Sequence, residues 1–265
     1  MKVELKPGKV TALTTADDTA CPYYIFIPET ISKTPKILVS VHGITRNAAE
    51  HCMRFSKSFD LEDTILVAPL FTKERFKHFQ KLRADADGLR PSKALNLILA
   101  DIKERLGVAT NKFTLSGYSG GGQLAHRYAM LYPERISKLI LMAPGWYTFP
   151  DTTIPYPEGV KADGEFTDLR LYPKGLLSFP IEVIVGEKDN RRDRTLNSAA
   201  TIDRRQGRNR LQRSQNWVKA IVDFALAKDL VPNIRMTIVP GAGHDFKANF
   251  DRKNYRKSLQ NAIID

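Results

Sequence analysis

A serine sits inside a run of glycines, Gly117-Tyr118-Ser119-Gly120-Gly121-Gly122. The pattern G-x-S-x-G suits a sharp strand-to-helix turn that lifts a serine hydroxyl above a sheet, and only small residues fit around such a turn. A serine hydroxyl is a poor nucleophile until a base takes its proton. The chain offers five histidines for that task, at 42, 51, 78, 126 and 244. His244 stands in Pro240-Gly241-Ala242-Gly243-His244-Asp245-Phe246, a glycine-rich loop after the last apolar run. Such a loop falls at the carboxyl edge of a parallel sheet, where that architecture presents its chemistry. His126 falls in the helix expected after Ser119 and reads as a surface or packing residue. His51 and His78 fall in polar segments that follow no strand.

A base of this kind needs a carboxylate to set its tautomer and to stabilise the imidazolium. Asp189, in Gly186-Glu187-Lys188-Asp189, follows the apolar run 181–185 and gives the chain order Ser119, Asp189, His244. Asp193 competes, because a loop can bend; Glu187 is a weaker rival, and Asp245 is adjacent to the histidine and badly placed to orient it. A developing oxyanion also needs backbone N–H donors. One is expected from Gly120. The other is expected from His42-Gly43-Ile44-Thr45, with Ile44 as first choice, Thr45 as second, and His42 holding the loop. The alternative is that His42-Gly43 is an ordinary turn.

Several elements must position these residues. Short apolar runs alternate with helix-period segments, which points to an α/β chain with a mainly parallel sheet and helices on both faces. Strands are expected at 23–27, 36–41, 64–69, 112–115, 138–142, 181–185 and 234–239. Helices are expected at 47–59, 120–131, 215–227 and 248–264. Another, opened by Ser92, carries Leu95, Ile98, Leu99, Ile102 and Leu106 on one face and stops at Gly107. Residues 73–90 are polar and resist assignment. The stretch 145–179 holds Trp146, Tyr147, Phe149, Tyr156, Phe166, Tyr172 and Phe179 with four prolines, too long and irregular for a plain connection. It is either a cap or lid insertion or an extra packed apolar layer, within one domain over 1–265.

The 265 residues suffice for a large buried core without disulfides, and the two cysteines, Cys21 and Cys52, read as free buried thiols with no metal-ligand spacing. No signal segment and no membrane-length apolar run is apparent, so a cytoplasmic location is the expectation, with no membrane partner. The net charge of +12 raises nucleic acid as a partner. No nucleic-acid motif supports it, and no aromatic residues interleave the basic ones. Eight of the arginines fall between Arg191 and Arg213. They read either as a solvated basic loop or as a clamp for an acidic group on the substrate.

The segments 41–49 and 117–122 resemble those of the α/β-hydrolase superfamily, and within it those of the feruloyl esterases and poly(3-hydroxybutyrate) depolymerases. The resemblance covers nearly the whole chain. It implies the α/β-hydrolase fold and hydrolysis of a small-molecule ester through an acyl-enzyme intermediate, with no cofactor. Secreted depolymerases carry a signal, disulfides and a polymer-binding module that this chain does not display, so polymer hydrolysis is not carried over. Thioester or small-peptide hydrolysis would use the same three residues. A ligand-binding protein without turnover is the reading from a different class.

Overall fold

A computed structural model describes residues 5–264. Eight strands form one sheet: β1 (Val10–Thr14), β2 (Pro22–Phe26), β3 (Lys36–Val41), β4 (Thr64–Pro69), β5 (Phe113–Tyr118), β6 (Ile136–Met142), β7 (Ile181–Gly186) and β8 (Ile234–Val239). Their order across the sheet is β1-β2-β4-β3-β5-β6-β7-β8. β2 runs antiparallel to both β1 and β4, and every other pairing is parallel. The expected α/β architecture is therefore present, with β1 added at the edge. Its sequence, Val-Thr-Ala-Leu-Thr, buries only Leu13, which is why no apolar run announced it.

The strands alternate their side chains between two cores, as the period of two requires. Ile37, Val39 and Val41 face one core, together with Leu115, Leu139, Leu141, Ile181 and Val183. Leu38, Leu66, Ile140, Met142 and Ile184 face the other. The first core is covered by α2 (Pro91–Leu106), α3 (Gly120–Leu131) and α5 (Arg210–Leu226); the second by α1 (Ala48–Ser58), α6 (Phe246–Asp251) and α7 (Lys253–Ile264). Such burial on both faces explains why the central strands read as continuous apolar runs.

Some boundaries differ from expectation. α2 begins at Pro91, one residue before Ser92, because proline at the first helical position has its φ already set. α5 starts at Arg210, not 215, capped by Asn209, whose side chain accepts from Gln212 N at 2.9 Å. A short helix, α4 (Ala200–Gln206), precedes it. The single closing helix expected at 248–264 is two, because Arg252 between α6 and α7 is extended. Residues 73–90 carry only a 3-10 turn, Phe79–Lys81, anchored by the buried Phe76, Phe79 and Leu82.

The arginine-rich stretch is solvated only in part: Arg191, Arg192, Arg194, Arg204, Arg205 and Arg208 are exposed. Two of its arginines, Arg210 and Arg213, are fully buried at the start of α5. Arg213 donates to the carbonyls of Gly145 at 2.6 Å, Gly207 at 2.8 Å and Asn197 at 2.8 Å, and pairs with Asp203. Its buried guanidinium is pulled down to about 10 by desolvation, with Arg210 and Arg192 adding to the effect. A local charge count cannot reveal such a role, because the acceptors are carbonyls from distant segments.

Segment 145–179 packs inward. Tyr147, Tyr156, Phe166, Leu169, Leu176 and Phe179 join the first core. Trp217 of α5 stacks on Tyr147 at 4.8 Å and donates its indole N–H to Thr148 O at 2.9 Å. Cys21 and Cys52 are both free and buried, and burial pushes the Cys52 thiol up to about 12. Among the described residues, no helix is long and apolar enough to cross a membrane.

The tightest packing lies where α3 leaves β5 and passes under β3. A Cβ at Gly121 would collide with the carbonyl oxygen of Val41 and lie 2.6 Å from that of His42. At Gly43 it would meet only ordinary contacts, the nearest at 3.5 Å. Gly121→Ala should cost at least about 2 kcal/mol, seen as a melting temperature lower by about 4–8 °C. Gly43→Ala should fall within about 2 °C of the wild type. Equal melting temperatures for the two variants would contradict this packing.

Candidate active site

Ser119 sits at the β5–α3 junction with φ 51° and ψ −110°, in the positive-φ region that L-residues rarely adopt. The turn persists because its surroundings determine it. Ser119 N donates to Met142 O on β6 at 2.8 Å, and Gln123 N donates to Ser119 O at 3.1 Å to start α3. A Cβ at Gly117 would run into the Gly121 backbone, and one at Gly122 would lie 2.8 Å from Pro144. The glycines noted in the sequence are thus required by close approach. The turn presents the serine hydroxyl at the carboxyl edge of the sheet.

The loop after β8 brings His244 to the same edge. Its Nε2 lies 3.0 Å from Ser119 Oγ, and its Nδ1 lies 2.7 Å from Asp189 Oδ2. With the ring proton on Nδ1, the histidine donates to the carboxylate and accepts from the serine hydroxyl, the arrangement in which the serine proton has somewhere to go. The loops after β7 and β8 are tied together. Lys188 N donates to Ala242 O at 2.8 Å, and Gly241 N donates to Glu187 Oε2 at 2.9 Å. From α6, Asn249 Nδ2 holds Gly243 O at 3.0 Å. The Tyr118 ring stacks on the imidazole, with ring centroids 5.3 Å apart.

Of the four carboxylates considered, Asp189 alone meets the histidine. Asp193 is held instead by Arg210 and Thr195, which keep its carboxyl well below the usual range. Glu187 holds the Gly241 amide. Asp245 caps α6, accepting from Ala248 N at 2.7 Å. His126 is a packing residue, and a buried one: Nδ1–H donates to Gly122 O at 2.9 Å and Nε2 accepts from Thr148 N at 2.9 Å. His51 is buried against Ser40, and His78 is half-buried away from the site.

Beside the serine, Gly120 lies against Ile44, whose Cγ2 would be 3.0 Å from a Cβ on Gly120. A Cβ on Gly120 would be 3.4 Å from Ile44 N and 3.3 Å from the Phe79 ring, so only glycine leaves that gap open. The Gly43–Thr45 loop is fixed from two sides. His42, fully buried, donates Nδ1–H to Gly43 O at 2.7 Å and accepts from Phe71 N on Nε2 at 3.0 Å. Arg46 donates to Ile44 O at 2.9 Å and to the carbonyls of Phe76 and Lys77, both at 3.2 Å. Thr45 is exposed, its hydroxyl on Asn47. The bracing by Arg46 was missed in the sequence, since a lone arginine after a turn carries no pattern.

These residues line a pocket of about 520 Å³ that includes Ser119, His244, Gly43, Ile44, Thr45 and Arg194. No residue of 145–179 lines it.

A family model described as the alpha/beta hydrolase fold matches residues 92–177, which span α2, the β5–α3 turn and β6. The protein has the α/β-hydrolase fold. Solved structures that share the fold include a poly(3-hydroxybutyrate) depolymerase and a ferulic acid esterase. It is similar to poly(aspartic acid) hydrolase-1 from Sphingomonas sp. KT-1, at 21% identity and a TM-score of 0.79, over 98% of this chain and 99% of that one. It is also similar to the poly(3-hydroxybutyrate) depolymerase LpqC from Bordetella parapertussis, at 24% identity and a TM-score of 0.77, over 97% of this chain and 89% of that one. A ferulic acid esterase aligns at 14% identity with a TM-score of 0.59, over 96% of this chain and 95% of that one. No curated protein sequence matches the chain.

Burial holds His42 down at about 4, against an ordinary value of 6.5, and pushes His51 and His126 down as well. The unfolded chain accepts protons that the folded chain refuses. Folding stability should therefore be full above about pH 6.5 and decline as pH falls from there toward about 4. Urea midpoints at pH 7.5, 6.0 and 4.5 measure this directly; a midpoint flat or rising on acidification would contradict neutral, buried imidazoles.

Proposed function

We propose that the protein is a serine hydrolase of carboxylic esters, with Ser119, His244 and Asp189 as catalytic triad. The observation that carries it is the unbroken hydrogen-bonded line Ser119 Oγ, His244 Nε2, His244 Nδ1, Asp189 Oδ2, at 3.0 and 2.7 Å, opening into a pocket. In the reaction, His244 takes the Ser119 proton as Oγ attacks the ester carbonyl. The N–H groups of Gly120 and Ile44 receive the negative charge on the carbonyl oxygen. His244 then hands the proton to the departing alcohol, leaving an acyl-serine. A water that gives its proton to His244 hydrolyses that ester, and Ser119 recovers its proton from the imidazolium. Asp189 keeps the imidazole oriented and balances its charge in each transition state.

The pocket also favours a substrate with an anionic group. The acids along its wall are already engaged: Glu50 by Asn47 and Arg54, Asp193 by Arg210 and Thr195, Asp245 by the α6 amide. Arg194 and Lys247 line the same pocket with no hydrogen-bonded acid among the described residues. The acidic-group reading of the arginine-rich stretch thus narrows to Arg194. Arg205 and Arg208 lie outside this lining, and Arg205 is paired with Glu158. The solved poly(aspartic acid) hydrolase, named for a polyanion, accords with this charge preference.

Ser119→Ala should abolish labelling by a fluorophosphonate and lower kcat on p-nitrophenyl butyrate by at least about 10³-fold. Undiminished turnover by the purified variant would sink the assignment. Arg194→Glu with Lys247→Glu should lower kcat/KM for p-nitrophenyl hemisuccinate about 10-fold relative to the butyrate, with the difference shrinking in 0.5 M salt. Equal effects on both esters would leave the two cations without a role in recognition.

A further inference from the structure

Asp189 is bonded through both of its oxygens. Oδ2 takes the His244 Nδ1–H, and Oδ1 lies 3.2 Å from Arg210 Nη1. Both side chains are closed to solvent, Arg210 at 1% and Asp189 at 2% exposure. The guanidinium also donates through Nη1 to Asp193 Oδ2 at 2.5 Å, and through Nη2 to Asp193 Oδ1 at 3.3 Å and Thr195 Oγ1 at 2.7 Å. Next along the chain, Leu211 N donates to the Asp189 carbonyl at 3.2 Å. One fixed cation therefore stands between the carboxylate that meets His244 and the carboxylate that does not.

We infer that Arg210 is a positioning residue for the triad, aiming Asp189 at His244 and placing its fixed charge behind that pair. The inference rests on the triad reading above. Its physical basis is simple. A buried carboxylate needs a compensating charge at hydrogen-bond distance, and Arg210 supplies it to Asp189 while also pairing with the partly exposed Asp193. A positive charge beyond Asp189 also opposes one on the imidazole, so removing it should favour the imidazolium in the variant. Arginine suits the place, since its fork addresses two carboxylates at once and it does not lose its proton.

Other groups face His244 or its partner carboxylate. Ser119 and the stacked Tyr118 approach from the β5 turn, and Asp245 and Lys247 from the start of α6. Tyr255 of α7 lies close enough to Asp189 to feel its charge. Glu50 of α1, Asp193 and Arg194 face the pocket. Among the described lysines and arginines, Arg210 alone touches the Asp189 carboxylate.

Two variants with opposite charge changes test this. Arg210→Gln removes the cation. It should lower kcat about 10–100-fold with KM within about 3-fold, and move the acid limb of kcat/KM up by about one pH unit. Asp193→Asn keeps Arg210 and removes the competing carboxylate, so the acid limb should move down. Arg210→Lys should recover part of the loss. NMR titration of His244 in the Ser119→Ala background should show the same two shifts with no turnover at all, so the inference is tested apart from the assignment of Ser119. Opposite shifts support the role. Acid limbs and His244 titrations unmoved in both variants, with only melting temperatures lowered, would overturn it and leave Arg210 a packing residue.

Discussion

The β5–α3 turn is the constraint on which the rest depends. It holds a non-glycine residue at positive φ and passes a helix N-terminus against the β3 carbonyls with no room for a side chain at Gly121. A turn so placed is stable only between fixed neighbours. β3 and β6 flank β5 in parallel register, and Met142 O takes the Ser119 amide. Moving any of these strands would move the serine. The gap between Gly120 and Ile44, where the oxyanion donors are proposed, depends on the same approach of α3 to the β3 loop.

Several arginines serve as internal structure. Arg127 is fully buried in α3, with Thr148 and the Gln80 carbonyl as partners and Trp146 under its guanidinium at 4.5 Å. Burial pulls it down to about 10. Arg213 stitches the connection after β6 to α4 and α5 through carbonyls, and Arg46 fixes the loop that carries Ile44. Arginine suits such work because its donors fan out in one plane and reach several carbonyls at once.

The solved structures that share this architecture are less than 25% identical to it, so what the chain has in common with them is the scaffold. What is particular to this protein lies in the side chains around the pocket. The loop after β7 ends in Asp189, turns through Asp193 and Arg194, and meets α5 at Arg210. A single loop thus reaches the histidine, the buried cation and the pocket wall, and coupling between binding and basicity is expected there.

The sequence by itself singled out the proposed chemistry-bearing residues and their order. Glycines at 117, 120, 121 and 122 around a serine, a strand before and a helix after, and a glycine-flanked histidine after the last strand are all local patterns, and local patterns are legible from periodicity and turn chemistry. The same reasoning found most of the strands, because strands buried on both faces must be apolar throughout. It missed β1, whose edge position needs little burial, and the break at Arg252, where two short helices share one amphipathic pattern. Tertiary structure alone shows which of Asp189 and Asp193 meets His244. The two lie four residues apart in one loop, and nothing local distinguishes them. The choice is made by Arg210 from α5, which engages Asp193 and leaves one oxygen of Asp189 for His244. It likewise decided which arginines are buried, because the carbonyls and carboxylates that satisfy them come from elements far apart in the chain.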